Sequence, residues 1–186
     1  MPPGGRASAI ATVVSAFVDD PVERWLWPGS TEYAASFPAF VEAFAGPAFD
    51  RQTAWMLEEF SAVALWLAPG AEPDGDSIVG ILSETVAPEK HEETFAVLQR
   101  MEDEHPSAPH WYLPWLAVGD GLRGRGLGSA LLDQGLAHVD ESGLPAYLET
   151  PNPRTIPLYE RHGFNVTAVA QAGACPPITM MFRDAR

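Results

Sequence analysis

Residues 111–128 read WYLPWLAVGDGLRGRGLG and decide the fold of this chain. The first eight side chains are aromatic or aliphatic on both faces, which is typical of a central strand buried on both sides. Pro114 has no N–H to donate within a sheet, so it predicts a bulge or a splay between strands. Glycines and arginines follow, where the strand ends and a helix begins. Backbone N–H groups at such a junction, with Arg123 and Arg125, predict a phosphate site.

Two familiar phosphate-binding loops do not fit this stretch. A P-loop requires Lys and then Ser or Thr after its last glycine, whereas Gly128 is followed by Ser129 and Ala130. The dinucleotide-binding fingerprint needs a third glycine where Ser129 stands, almost directly after a strand. Here five residues separate Val118 from Gly124. A nucleotide-binding oxidoreductase that uses NAD is therefore disfavoured.

Composition and charge exclude several classes of protein. The chain has 186 residues, of which 46% are hydrophobic, so it can fold around a full core. The net charge of −14 argues against nucleic acid as a partner. No run reaches the ~18 apolar residues of a membrane span, so we expect no membrane partner. The single cysteine, Cys175, rules out an internal disulfide and suits the cytoplasm, where we expect the protein to reside.

The rest of the chain predicts helices and strands in one domain. We expect a disordered leader over 1–7 and a single domain over 8–186. Helical spacing predicts helices at 8–17, 31–49, 76–85, 89–104 and 127–140, with Ser8 as the first N-cap. Apolar runs bounded by turns predict further strands at 53–57, 62–67, 145–150, 164–170 and 178–183. A short helix with Thr155 as its N-cap ends at Gly163.

Two motifs in order give the chain a family resemblance. The first is R-x-x-G-x-G at 123–128, after a strand that ends Leu-Ala-Val. The second is LET at 148–150, followed by Asn152 and by LYERHGF at 158–164. Together they resemble the acyl-CoA loop and the following strand and helix of the GNAT superfamily of N-acetyltransferases. The resemblance implies an α/β (α+β) fold, in which a mixed twisted sheet is flanked by helices.

Two features of the chain depart from the usual arrangement in that superfamily. The helices at 76–104 look like an insertion before the central strand, where they would cover the acceptor site or serve in dimerisation. The first strand of a GNAT sheet is hard to find in the sequence.

The resemblance also implies where acetyl-CoA would bind. The backbone of Leu116–Val118 would hold the pantetheine arm in the opening that Pro114 creates. The Val118 N–H would stabilise the oxyanion. The residues expected to contact the cofactor are Leu116, Ala117, Val118, Arg123, Gly124, Arg125, Gly126, Leu127, Gly128, Ser129, Asn152 and Tyr159. We predict no metal site.

Acid–base chemistry would then fall to a few side chains. Tyr159 would stand near the sulfur, where a protonated phenol can donate a proton to the departing thiolate. The amine must lose a proton before it attacks, and Glu149, His110, Tyr112 or a water relay can accept it. We take Glu149 as the catalytic carboxylate. The residues expected beside the acceptor are Trp25, Trp27, His110 and Tyr112, although core packing or a lid is the simpler explanation of the two tryptophans.

The function that the resemblance implies is transfer of an acetyl group from acetyl-CoA to a primary amine through a tetrahedral intermediate. The acceptor would be a small-molecule amine or a peptide amine, and the sequence does not choose between them. An alternative is a non-catalytic acyl-CoA-binding or sensor domain, which keeps the cofactor site but transfers no acyl group. A homodimer is left open.

Overall fold

A computed structural model describes residues 5–57 and 60–186 of the protein. Its strands are β1 (Ala54–Met56), β2 (Ala62–Leu67), β3 (Trp111–Val118), β4 (Ala146–Thr150), β5 (Asn165–Ala170) and β6 (Ile178–Arg183). Within the described residues they form one six-stranded sheet in the order β1-β2-β3-β4-β6-β5. β3 and β4 are parallel, and the other neighbours are antiparallel. Residues 5–53 contain no strand, so this sheet begins at β1.

Helices cover both faces of the sheet. They are α1 (Gly5–Ala16), α2 (Pro21–Leu26), α3 (Ser30–Asp50), α4 (Gly75–Thr85), α5 (His91–Glu104), α6 (Leu127–Glu141) and α7 (Ile156–Arg161). Buried side chains of α1 to α5 pack with Leu65 and Trp115 on one face. Those of α6 and α7 pack with Trp66 and Leu113 on the other. No helix in the described ranges is long and apolar enough to cross a bilayer.

The first helix begins earlier than the sequence predicts. The expected disordered leader is wrong for residues 5–7, which form the first turn of α1, while residues 1–4 lie outside the described residues. Ser8 is therefore inside the helix and not its N-cap. In this first turn Arg6 contacts α3: its Nη1 lies 3.1 Å from Asp50 Oδ1, and its guanidinium lies 4.9 Å over the Phe49 ring. These partners are at the far end of α3, so the local sequence does not reveal them.

Gly135 and Gly80 provide a matched test of the packing of α6. A Cβ built on Gly135 would lie 2.6 Å from Trp66 Nε1, and the Trp66 indole is fully buried. A Cβ at Gly80, within α4, would meet nothing within 4 Å. We expect Gly135→Ala to lower the free energy of unfolding, because overpacking costs about 1–3 kcal/mol and outweighs the helix-propensity gain of roughly 1 kcal/mol.

Gly80→Ala gains helix propensity without a clash, so it should raise the free energy of unfolding by up to about 1 kcal/mol. Urea unfolding of both variants measures the two effects directly. Shifts in the same direction would contradict the close packing of α6 on Trp66.

Candidate active site

β3 and β4 separate halfway along their length. Their parallel pairing runs from Trp111 opposite Ala146 to Leu113 opposite Leu148, and the register stops there. On the other side of β3, the pairing with β2 is also irregular. The three residue-to-residue steps from Tyr112 to Trp115 pair with only two such steps along β2, so β3 has a β-bulge here. Pro114 lies at this point and has no N–H for either neighbour. Both the bulge and the splay predicted from Pro114 are therefore confirmed.

The backbone N–H of Val118 points into the resulting gap. Gly119 donates its N–H to the carbonyl oxygen of Ser61 at 2.9 Å, on the β2 side. Val118 stands opposite Ala62 in the same antiparallel pair of strands. Residues of such a pair alternate between those that hydrogen-bond to the partner strand and those that do not. The Val118 N–H therefore faces away from β2, toward the side from which β4 has separated.

The loop after β3 leaves an uncapped helix start beside the gap. Gly124 and Gly126 have φ angles of +77° and +81°, the left-handed conformation that glycine adopts without strain. Gly126 is the N-cap of α6, and no side chain caps the helix there. The first-turn N–H groups, from Leu127 to Ser129, have no acceptor within the helix. Such a helix N-terminus favours an anion.

One cavity of about 880 Å³ connects this loop with the opposite face of the sheet. Its lining on the α6 face includes Leu116, Val118, Gly128, Leu158 and Tyr159. The part on the other face, which we call the α2–α5 chamber, is lined by Asp20, Glu23, Trp25, Phe40, Phe44, Thr94, Leu98 and Met101, among others. Because the lining includes residues of both hydrophobic cores, the cavity passes between β3 and β4 where they separate.

Glu149 lies at this passage, one residue beyond the last β3–β4 pair. Its side chain is 8% exposed and lines the cavity. The Tyr112 hydroxyl donates to Oε2, and the Tyr147 hydroxyl donates to Oε1 at 3.0 Å. His105 Nδ1 lies 3.8 Å from the carboxylate, and His105 Nε2 lies 3.1 Å from His110 Nε2. Burial and then the charge of Glu149 raise the pKa of Tyr112, so this tyrosine remains a donor that holds the carboxylate in place.

Tyr159 reaches the same cavity from α7. Its ring packs against Phe164, with centroids 6.1 Å apart, and the residue is 7% exposed. Burial raises the pKa of Tyr159 above its ordinary value of about 10. α7 starts from a turn in which the Asn152 carbonyl accepts from the Thr155 N–H at 3.0 Å. Thr155 is the N-cap residue as predicted, but its hydroxyl donates to the Asn152 carbonyl and does not cap the helix.

A sequence profile described as the Acetyltransferase (GNAT) family matches residues 23–164, which include the strand gap and the loop. The chain belongs to the GNAT acetyltransferase family. An uncharacterized N-acetyltransferase of Schizosaccharomyces pombe is 26% identical over 176 residues, covering 84% of this chain and 69% of that protein. A mycothiol acetyltransferase of Propionibacterium freudenreichii is 44% identical over 66 residues, which are 33% of this chain and 21% of that protein.

A solved structure agrees with this assignment. A Corynebacterium glutamicum protein, described as histone acetyltransferase HPA2 and related acetyltransferase, has a TM-score of 0.66 and 26% identity to this chain. The match covers 100% of this chain and 93% of the other. The fold predicted from the two motifs is confirmed. The protein is an N-acetyltransferase enzyme that depends on acetyl-CoA, the acyl donor of its family.

Most of the predicted cofactor residues of this acetyltransferase line the cavity. They are Leu116, Val118, Arg123, Gly124, Gly126, Leu127, Gly128, Ser129, Asn152 and Tyr159. Ala117 is 1% exposed and packs in the core of the α1–α5 face. Arg125 is exposed on the loop and is not part of the lining. Arg123 donates to the carbonyl oxygen of Ala16, which ties the loop to the end of α1.

The residues expected beside the acceptor are divided by the structure. Trp25 and Tyr112 line the cavity, whereas Trp27 and His110 do not. Trp27 is 1% exposed in the core, where its Nε1 donates to Thr85 Oγ1 at 2.9 Å. Trp25 lies within α2, whereas Trp27 follows its last residue, Leu26, so the two side chains point in different directions. His110 packs its ring on that of His105, which stands between it and Glu149.

Sequence reasoning missed two carboxylates of the acetyltransferase cavity. Asp20 caps α2 by accepting from the Val22 N–H at 3.0 Å, and Glu23 follows three residues later. They are only 7% and 5% exposed, and both line the cavity. The pattern D-P-x-E at 20–23 is a recognisable helix start, with an N-cap, a proline and a glutamate. It predicts α2, which brings both carboxylates onto one short element.

Proposed function

We propose that this acetyltransferase transfers the acetyl group of acetyl-CoA to a primary amine, with Glu149 as general base and Tyr159 as general acid. The observation that supports this is the single cavity that joins the uncapped start of α6 to the α2–α5 chamber through the gap between β3 and β4. Both side chains line that cavity from different elements, β4 and α7.

The donor side of the cavity suits a diphosphate and a thin, extended arm. The first-turn N–H groups of α6 would bind the diphosphate, with Arg123 and Arg125 adding positive charge. The arm would lie in the strand gap beyond Leu113, where the backbone groups of β3 are not used by β4. When bound there, acetyl-CoA supplies a thioester, which makes the acetyl carbon reactive toward an amine.

Glu149 is suited to take the proton from the amine. A primary amine is mostly protonated at neutral pH, and its nitrogen needs a free lone pair to attack the acetyl carbon. The carboxylate accepts from Tyr112 and Tyr147, which fixes its position at the passage between the two parts of the cavity. Its 8% exposure keeps bulk water from competing for the proton.

Val118 and Tyr159 act on the two other atoms whose charge changes. As the nitrogen bonds to the acetyl carbon, negative charge develops on the carbonyl oxygen, and the Val118 N–H stabilises it. As the carbon–sulfur bond breaks, the sulfur takes a proton from Tyr159, which burial keeps protonated at neutral pH. The nitrogen loses two protons in all: Glu149 takes the first before the attack, and the second, lost after the nitrogen has bonded to the acetyl carbon, restores the Tyr159 phenol. Glu149 then returns its proton to solvent between turnovers.

Arg125→Ala is expected to weaken acetyl-CoA binding about tenfold, since a charge-assisted phosphate contact is worth about 1.5 kcal/mol or more. Isothermal titration calorimetry at low salt measures this. Arg51→Ala is the matched control, because it removes the same charge from a site where the guanidinium donates to the Gly70 carbonyl oxygen at 3.2 Å. Equal affinities of wild type and Arg125→Ala would remove Arg125 from the phosphate site.

The transfer itself is tested by release of the coenzyme A thiol in the presence of small-molecule and peptide primary amines. At least one amine should accelerate thiol release in the wild type. Tight acetyl-CoA binding with no acceleration by any amine would contradict the proposal and favour the sensor alternative.

A further inference from the structure

The α2–α5 chamber contains two buried carboxylates without a basic partner. Asp20 and Glu23 are 7% and 5% exposed. Among the described residues, no lysine, arginine or histidine forms an ion pair with either one. Arg24, which lies on α2, donates to the carbonyl oxygen of Pro28, and Lys90 donates to that of Trp25. Within the described residues the protein therefore supplies no cation to either carboxyl group.

The side chain of Glu23 does not cap the helix on which it lies. A glutamate three residues after an N-cap usually bonds back to the N–H of that cap. Here the Asp20 N–H donates to the carbonyl oxygen of Phe17 at 2.9 Å, so the usual partner is taken. Glu23 Oε2 is buried and has no hydrogen-bond partner among the described residues. Such an atom is costly unless something else satisfies it.

A second unpartnered acceptor lines the same chamber from α5. Thr94 is 4% exposed, and its Oγ1 is buried without a hydrogen-bond partner in the described part of the chain. Asp20, Glu23 and Thr94 line the same cavity, Thr94 from α5 and the two carboxyl groups from the start of α2. Two elements thus contribute oxygen acceptors to one largely apolar space.

We propose that Glu23, with Asp20 and Thr94, binds a second cationic group of the acceptor. The acceptor would be a diamine-type molecule with a primary amine at one end, an ammonium or guanidinium at the other, and an apolar segment between them. This rests on the proposed function, because it assigns a substrate class to the same cavity.

Asp20 and Glu23 are suited to bind a cationic group that stays protonated throughout the reaction. The reacting amine is not such a group. The reacting nitrogen must become neutral beside Glu149, at the strand gap. Glu23 and Asp20 lie on α2, a different element. Burial raises the pKa of Asp20 to about 6, so this carboxyl is mostly ionised at neutral pH, and raises that of Glu23 well above its ordinary value, so Glu23 would release a proton to solvent when a cation binds beside it. Phe40, Phe44 and other apolar side chains of the chamber would contact the segment that joins the two ends.

The test compares straight-chain α,ω-diaminoalkanes with the monoamines of the same chain length as acceptors. We expect the wild type to favour a diamine of suitable length at least about tenfold in kcat/KM. Glu23→Gln should raise KM for that diamine about tenfold while kcat and the KM of the monoamine stay near wild type. Glu32→Gln is the matched control, because it removes one exposed carboxylate of α3 and tests for long-range attraction.

Binding is measured separately, so that the chamber and the chemistry can fail independently. The diaminoalkanes should raise the melting temperature of the wild type without acetyl-CoA, and Glu23→Gln should abolish this rise. A rise without acetylation would support the cation site and contradict the proposed transfer. The cation site alone would be overturned if Glu23→Gln impaired the acetylation of diamines and monoamines equally. It would also be overturned if the substitution lowered kcat for both and left KM unchanged. The absence of any diaminoalkane binding would also overturn it.

Discussion

Glu149→Gln is expected to lower kcat about a hundredfold or more, with acetyl-CoA affinity unchanged. The amide keeps the size of the side chain, and its oxygen can still accept from the Tyr112 hydroxyl. It cannot take a proton from the acceptor amine. Since the carboxylate is 8% exposed at the strand gap, solvent is a poor substitute for it. Steady-state kinetics at saturating acetyl-CoA, together with calorimetry, would measure the two effects separately.

Glu160→Gln is the matched control for this result. Glu160 is exposed on α7 and does not line the cavity, so its loss changes the net charge equally and should leave kcat at the wild-type value. Thermal unfolding of both variants checks that the hydrogen bonds from Tyr112 and Tyr147 still support the fold. Full activity of a folded Glu149→Gln enzyme would exclude this carboxylate as the base. The remaining candidates would then be the tyrosine beside it and a relay through water.

Local sequence signals were sufficient for the central part of the site. A proline such as Pro114 cannot donate a backbone hydrogen bond to a neighbouring strand, because its missing N–H is a property of the residue itself. The uncapped start of α6 is equally local, since Gly124 and Gly126 supply the backbone conformation without help from distant residues. The gap and the glycine-rich loop that leads to an open helix start could thus be predicted from 111–128 alone, and the structure has both.

Features that depend on distant partners could not be predicted in this way. Arg6, at the start of α1, pairs with Asp50, which is 44 positions away in the sequence. Trp25 and Trp27 look equivalent in the sequence. In the structure α2 ends between them, and Trp25 lines the cavity whereas Trp27 bonds to Thr85. The burial of Glu23 arises only in the folded chain, so in the sequence this residue looks like an ordinary surface charge.

Tyr159→Phe is expected to lower kcat about a hundredfold while the dissociation constant of acetyl-CoA changes little. The phenylalanine ring keeps the packing against Phe164 but has no proton for the sulfur. Because burial raises the pKa of Tyr159, the phenol remains protonated even at about pH 10, where an ordinary tyrosine is half ionised, and the ratio of wild-type to variant kcat should be constant from about pH 6 to about pH 10. Kinetics at saturating concentrations of both substrates would measure the ratio.

A fall in kcat at unchanged acetyl-CoA affinity separates proton donation from packing under the cofactor. If Tyr159 only supported the donor, its replacement would weaken acetyl-CoA binding and leave kcat intact. If its pKa were near the ordinary value, the wild type would lose its acid at high pH and the ratio would shrink there. Tyr33→Phe is the control for loss of a buried hydroxyl. The Tyr33 hydroxyl donates to the carbonyl oxygen of Val14 at 2.7 Å, and the residue does not line the cavity. The substitution should cost about 1 kcal/mol of stability and leave kcat unchanged.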